Sequence, residues 1–571
     1  MRRLSLHFTR TGAVSLGALL LFAGCVFATA MQEPKVLQQV FVLALMLCTF
    51  GALLFVTARF ATALVVCSAL FAVIKFLSVL KIKYLEESLM PSDFIYYAGT
   101  SLLDTLRHYP HLYLLSIGIC VVVPPLLWLV WRWDLHLFVG RRWLSALGLR
   151  MGGILLSVLA FLICMLPNGP FAQVHNRGVW EKLSDDAQLT NFFINFDDAR
   201  VHLPAMSSDA IAEQQWGSTA QGEPGSAHPP YPDIVQVLEE STFDPSIFAA
   251  CGVPECRLQL FQADARTRGT GVLRTHTFGG GTWVSEFATL TGMPQDIFGP
   301  GGMYAPYVLA PHVRDALAMQ LRRLGYLTIA IYPTEGSFIN GRNAYRSYGF
   351  DHLYDVNELK LDEWEETDKQ MFDAAKRVYD QVKKPGQPVF IMILTINQHG
   401  PHDDLPLAQL PAPFNRGLLT GLSPAATINF SAYLSRLHDS DVAMRGLEHD
   451  FLDRAQPTLL VHFGDHQPSF EGMIRPMART LPPALQPYRD FLTYYMLKSN
   501  YAGDALPSYP MMDIAFLPSM VLQAAGLPKD PYFSALHDLR TRCNGLYDDC
   551  KIPGLIDSYH AWTFGRLHVY Q

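Results

Sequence analysis

Residues 233–244 read DIVQVLEESTFD: a short apolar run of strand length that breaks abruptly into two acids, Glu239 and Glu240. The same pattern recurs downstream. Strand-length apolar runs lie at 271–277, 326–332, 388–397, 458–463 and 492–497, and amphipathic helical stretches lie near 311–325, 363–383 and 429–454. Apolar runs of strand length alternating with helical periodicity predict an α/β domain with a mostly parallel central sheet over 233–571.

In such sheets ligands bind beyond the carboxyl ends of the strands, where loops from neighbouring strands converge. The polar residues here collect at those ends. The first strand exits at Glu240; the second passes through THTFGGGT to Thr282; the fourth ends TINQHGPH at His399; the fifth ends VHFGDH at Asp465 and His466. Two carboxylates and an imidazole suit a divalent ion taking oxygen and nitrogen ligands. Three glycines before Thr282 set its hydroxyl on a tight strand-to-helix turn, where a helix N-terminus can face an anion. A threonine hydroxyl becomes a useful nucleophile only with a metal or a base beside it. Capping is the plainer role for such a threonine. The segment lacks the lysine of a Walker loop. In IYPTEGSFINGRNAYRSYGFD, Arg342 is a candidate phosphate grip through its forked donors, with a surface ion pair as the alternative.

Upstream, residues 207–232 are rich in Ser, Gly, Pro and Gln and read as a tether, so that 168–232 forms a juxtamembrane segment and linker. Residues 1–167 hold five apolar stretches, near 11–31, 36–57, 60–80, 111–131 and 143–166, each about the length of ~20 residues that a helix needs to cross a membrane. Arg2, Arg3, Arg10, Arg59, Arg132, Arg141 and Arg142 fall on one side of the resulting alternation, which predicts a cytoplasmic N-terminus. Five crossings then leave everything after residue 167 on the outer side of an inner, cytoplasmic membrane. Four of the nine cysteines lie beyond the apolar half, and their short spacing in an oxidising compartment predicts the bridges Cys251–Cys256 and Cys543–Cys550, one of three connectivities that four cysteines allow, with a zinc site as the competing reading. A net charge of -7 argues against a nucleic-acid partner and leaves the membrane as the obvious neighbour.

At these residues the chain resembles the lipoteichoic acid synthase and phosphoglycerol transferase branch of the sulfatase-like, alkaline-phosphatase superfamily. EESTFD is similar to that family's first metal-ligand motif, GGGTWVSEF to its nucleophile motif, NQHGPH to its substrate-binding histidine motif and FGDH to its last metal-ligand pair. The resemblance implies one divalent metal held by Glu240, Thr282, Asp465 and His466, with manganese ahead of magnesium or zinc. It also implies that His399, Arg342 and Tyr332 bind the phosphate or headgroup, with Tyr332 at a position where the family often has histidine. The implied reaction moves phosphoglycerol from phosphatidylglycerol to an envelope glycan through a covalent phospho-threonine. The alternatives are a phosphoethanolamine transferase, a sulfatase-like phosphoester hydrolase, and a non-catalytic membrane protein that binds envelope glycans.

Overall fold

The computed structural model describes residues 2–85, 89–96, 110–140, 142–175, 187–195, 201–470 and 472–571, and the chain divides into two compact units, 1–199 and 200–571. The first unit is helical: α1 (Arg2–Ala28), α2 (Val36–Thr57), α3 (Phe60–Leu85), α4 (Pro110–Trp133) and α5 (Trp143–Met165). Their sequences are apolar almost all round, and a helix satisfies its own backbone where water is absent. The turn between α2 and α3 is tied to the end of α4. Arg59 donates to the carbonyls of Trp131 and Asp134 at 2.7 and 2.6 Å, and the Asp134 carboxylate accepts from the amide of Thr62 at 2.7 Å, which caps the first turn of α3. Arg150 on α5 reaches the carbonyl of Phe55 at 2.9 Å near the end of α2.

Four helices among the described residues are long and apolar enough to cross a membrane: Thr11–Gln32, Val36–Thr57, Phe60–Ile82 and Trp143–Met165. The fifth expected crossing, 111–131, falls within α4, where the side chains of 111–116 and 119–120 lie outside the described residues. The chain is thus a membrane protein with four apolar helices of spanning length. Residues 97–109, between α3 and α4, also lie outside the described residues.

The second unit is built on an eight-stranded sheet. Its strands are β1 (Asp233–Glu239), β2 (Thr267–Arg274), β3 (Leu327–Ile331), β4 (His352–Tyr354), β5 (Val389–Leu394), β6 (Thr458–Gly464), β7 (Leu492–Ser499) and β8 (Met512–Asp513), in the spatial order β4-β3-β5-β1-β6-β7-β2-β8. Strands β4, β3, β5, β1 and β6 run parallel; β7 is antiparallel to both β6 and β2. Helices and loops cover both faces, so the central strands are buried throughout and β1 alternates between two cores. Ile234 and Leu238 pack into one core and Val235 and Val237 into the other.

Register brings the chemistry together. Leu238 pairs with Leu394 on one side and Glu239 with Gly464 on the other, so β1, β5 and β6 end at the same level.

Two expectations change. The second strand ends at Arg274 rather than continuing through Thr277, and residues 275–281 form a loop that carries the chain to Thr282. Residues 207–232 are not a free tether: helix Asp209–Trp216 packs onto the core, Trp216 is fully buried, and its indole donates to Ser558 Oγ at 3.1 Å. The polar composition hid one anchoring tryptophan. A further backbone bridge, Glu223 to Lys529, holds the end of this segment against the domain.

Candidate active site

The end of β1 turns sharply. Ser241 adopts a left-handed backbone (φ 49°), a conformation that non-glycine residues seldom hold unless their surroundings enforce it. The enforcing bond comes from β6: the Ser241 amide donates to Asp465 Oδ1 at 2.7 Å, and the His466 amide donates to the same oxygen at 2.7 Å. Close approach of the two strand ends requires Gly464, because a Cβ there would lie 1.7 Å from the carbonyl oxygen of Thr242.

Thr282 opens helix α6 (Thr282–Thr291), preceded by Gly281 in the left-handed region at φ 81°. The loop below it is fixed by the Gly279 amide donating to Gln467 O at 2.9 Å, and by the Thr277 hydroxyl donating to Gly280 O. The cap position is Gly281, so Thr282 is the first helical residue and its hydroxyl is not spent on capping. It donates instead to Glu240 Oε2 at 2.6 Å and lies 3.5 Å from His466 Nε2. His466 Nε2 in turn is 3.5 Å from Glu240 Oε1 and 3.3 Å from Asp465 Oδ2. Four residues from three loops thus meet at one buried point.

The donor set fits a divalent cation. Glu240, Asp465 and His466 each present a ligand atom within 4.8 Å of the others, and Asp465 Oδ2 is buried without a hydrogen-bond partner. A buried carboxylate oxygen left unpaired is costly, and a cation relieves that cost. The charges tell the same story. Burial, followed by the adjacent Glu240 carboxylate, raises the Asp465 pKa well above the ordinary carboxylate range. Burial also opposes ionisation of Glu240, but the imidazoles of His466 and His399 and the Thr282 hydroxyl hold its pKa below the usual value. His466 Nδ1 lies 3.1 Å from Gln467 O; if that nitrogen carries the proton, the Nε2 lone pair faces the carboxylates. Gln467, whose side-chain amide donates to Leu492 O at 2.7 Å, and Ser285, which donates to Asp465 O at 2.7 Å, brace the pair from outside.

Glu239 faces away from this site, as strand alternation dictates. Burial and the neighbouring Asp368 raise its pKa well above the ordinary value, while burial pushes Asp368 up to about 6.

The remaining candidates are placed differently. His399 lies near enough to influence Glu240; its Nδ1 is 2.6 Å from Gly400 O, and Arg436 donates to the His399 carbonyl at 2.9 Å. Arg342 spends its guanidinium on Asp355 at 2.6 Å, Glu358 at 2.9 Å and Leu353 O at 3.0 Å, so a phosphate there would compete with two carboxylates. Tyr332, expected to bind substrate, is instead buried in the core, its ring edge-on to Tyr345 at 5.7 Å. Cys251–Cys256 and Cys543–Cys550 are both bonded.

Sequence reading passed over a second cluster, centred on His276. Its Nδ1 is 2.9 Å from Asp296 and its Nε2 2.9 Å from Asp513, while Arg274 lies 3.2 Å from Asp548 and 3.6 Å from Asp513. His276, Asp513 and Asp548 there could hold a cation, but Arg274 already lies among them, and the cluster reads as a buried salt-bridge network. An isolated histidine in THTF carries no signal of partners contributed from far along the chain.

Residues 232–510, which contain Glu240, Thr282, His399, Asp465 and His466, match the Sulfatase family profile. Over 93% of its length the chain is 26% identical to an uncharacterized Haemophilus influenzae protein, covering 95% of that protein. A Rhizobium meliloti protein provisionally assigned to cyclic beta-1,2-glucan modification is 26% identical over 354 residues, which span 60% of this chain and about half (53%) of that one. Among solved structures, phosphoethanolamine transferase EptA from Neisseria meningitidis aligns at 15% identity and a TM-score of 0.48, covering 89% of this chain and 95% of that one. Streptococcus pyogenes phosphoglycerol transferase GacH, in complex with sn-glycerol-1-phosphate, aligns at 16% identity and a TM-score of 0.46, covering 64% and 95%.

Proposed function

We propose that the protein is a membrane-bound phosphotransferase that moves phosphoglycerol from phosphatidylglycerol to a glycan of the cell envelope, with Thr282 as the nucleophile. The observation that carries this reading is the Thr282 hydroxyl, freed from capping and hydrogen-bonded to Glu240 at 2.6 Å beside Asp465 and His466.

The chemistry divides into two displacements. Thr282 Oγ attacks the lipid phosphorus, the bond from phosphorus to the diacylglycerol oxygen breaks, and the threonine proton ends on that oxygen. A glycan hydroxyl then attacks the phospho-threonine, and its proton returns to Thr282. Glu240 accepts the hydroxyl proton's hydrogen bond before attack and orients the oxygen. A divalent ion held by Glu240, Thr282, Asp465 and His466 would supply charge stabilisation for the hydroxyl and the phosphoryl oxygens. Manganese is the ion we propose. Thr282 opens α6, and the N-terminus of a helix favours an anion.

Other features support the setting. A lipid donor suits a chain with four apolar helices of spanning length. The two disulfides suit an extracytoplasmic domain. The Rhizobium meliloti relative, named for glucan modification, supports a glycan acceptor. The phosphoglycerol headgroup rests on the resemblance of the four motifs. Detergent-purified protein given headgroup-labelled phosphatidylglycerol or phosphatidylethanolamine tests it: diacylglycerol release from phosphatidylglycerol is expected, and release from phosphatidylethanolamine alone would transfer the headgroup assignment.

A further inference from the structure

Beside His399 stands an aromatic wall that none of the four motifs contains. Trp364, half-buried, meets His399 with ring centroids 5.2 Å apart and Phe338 at 5.1 Å, the latter nearly perpendicular at 89°. The backbone beneath is strained. Trp364 sits at φ 70°, Ile339 at 46° and Asn340 at 56°, left-handed values that bulky and β-branched side chains avoid. Such conformations persist where the surroundings over-determine them, and they gather at ligand sites. Here the two strained loops are bound to each other by the Glu335 amide, which donates to Glu363 at 2.9 Å, while the Gly336 amide donates to Asp355, the cap of the short helix between them, at 3.0 Å. The rings are therefore held ready rather than adaptable.

Resting on the phosphotransfer reading, we propose that Trp364 and Phe338 form the stacking platform on which a pyranose ring of the acceptor glycan lies, its hydroxyl directed toward Thr282. A pyranose offers an apolar C–H face and a rim of hydroxyls, and a flat, rigid indole buries that face at low conformational cost. The surrounding charge selects the same ligand class. Glu363 precedes Trp364 in the chain and holds the Glu335 amide, and carboxylates accept hydrogen bonds from hydroxyls while disfavouring an anionic phosphate. His399 links the wall to the reacting end, since its loop leaves β5 beside β1: Leu394 pairs with Leu238, and the Glu240 amide donates to Thr395 Oγ1 at 3.2 Å. The platform thus separates acceptor from donor: the phospholipid's phosphate goes to the cation-binding point, the neutral sugar to the wall.

Binding without turnover tests this directly. Full-length Thr282→Ala protein in detergent is titrated with a labelled neutral β-1,2-linked gluco-oligosaccharide by equilibrium dialysis, in parallel with ethanolamine and glycerol. Saturable oligosaccharide binding is expected. Adding Trp364→Ala or Trp364→Leu should weaken it about tenfold, whereas Trp364→Phe, which keeps a flat ring, should stay within about threefold. In the active protein Trp364→Leu should raise the KM for the oligosaccharide about tenfold and that for the phospholipid by less than about threefold. Absence of oligosaccharide binding, equal binding by the Leu and Phe variants, or a Trp364-dependent signal from ethanolamine alone would overturn the platform. Failure of Thr282 to take label from any phospholipid would instead strike the parent reading, and the dialysis result would stand by itself.

Discussion

At the scale of single residues, His276 makes a prediction about pH. Burial alone would favour the neutral imidazole, but Asp296 and Asp513 outweigh it and raise its pKa well above the ordinary value. A group whose folded pKa is raised stabilises fully below its unfolded pKa of about 6.5, and that contribution is lost as pH rises toward and through the folded value. The stability difference between wild type and His276→Gln should therefore be greatest near about pH 6 and shrink toward about pH 9, by at most about 1.4 kcal/mol per pH unit. Thermal unfolding of the two proteins across that range measures it; a difference that grows with pH would contradict the imidazolium. Gly464 makes a steric prediction. A Cβ 1.7 Å from Thr242 O cannot be accommodated without parting β1 from β6, so Gly464→Ala should cost about 1–3 kcal/mol and weaken divalent-ion binding by moving Asp465. Isothermal titration with manganese and a melting curve check both halves.

At the scale of elements, the disulfide Cys543–Cys550 closes the loop that delivers Asp548 and Asp549 to Arg274. Replacing both cysteines by serine should lower stability by about 2–3 kcal/mol, read from denaturant midpoints under oxidising conditions, and reducing agent should reproduce that loss in the wild type. Elements also show what was legible in the sequence. Strands β1, β3, β5, β6 and β7 are apolar runs with clear ends, and the exits of β1 and β6 carry Glu240, Asp465 and His466, whereas Thr282 follows β2 through a loop. Strands β4 and β8 are three and two residues long. Strands that short are defined by pairing, not by pattern, and periodicity cannot find them. The segment 207–232 misled for a related reason: its composition is that of a linker, and the burial of Trp216 depends on a partner, Ser558, more than three hundred residues away. Trp364 was illegible because nothing local announces a left-handed tryptophan; its meaning comes from Phe338 and His399, brought to it by β3 and β5.

For the whole molecule, the account requires the N-terminus and the domain beyond residue 200 to lie on opposite sides of the membrane, which an odd number of crossings provides. Helix α4 decides the parity. Reporter fusions at both ends of the chain should report opposite compartments, with the C-terminal reporter outside; the same compartment for both would mean that α4 does not cross, and would remove the domain from its proposed donor and acceptor.

The central claim is that Thr282 carries the transferred group. Brief incubation of the manganese-loaded protein with headgroup-labelled phosphatidylglycerol, without acceptor, followed by acid quench and peptide mass spectrometry, should show a phosphoglycerol adduct on Thr282 that disappears when acceptor is added. Thr282→Ala should release no diacylglycerol. Diacylglycerol release by the alanine variant at the wild-type rate, or an adduct on any other residue, would contradict the account.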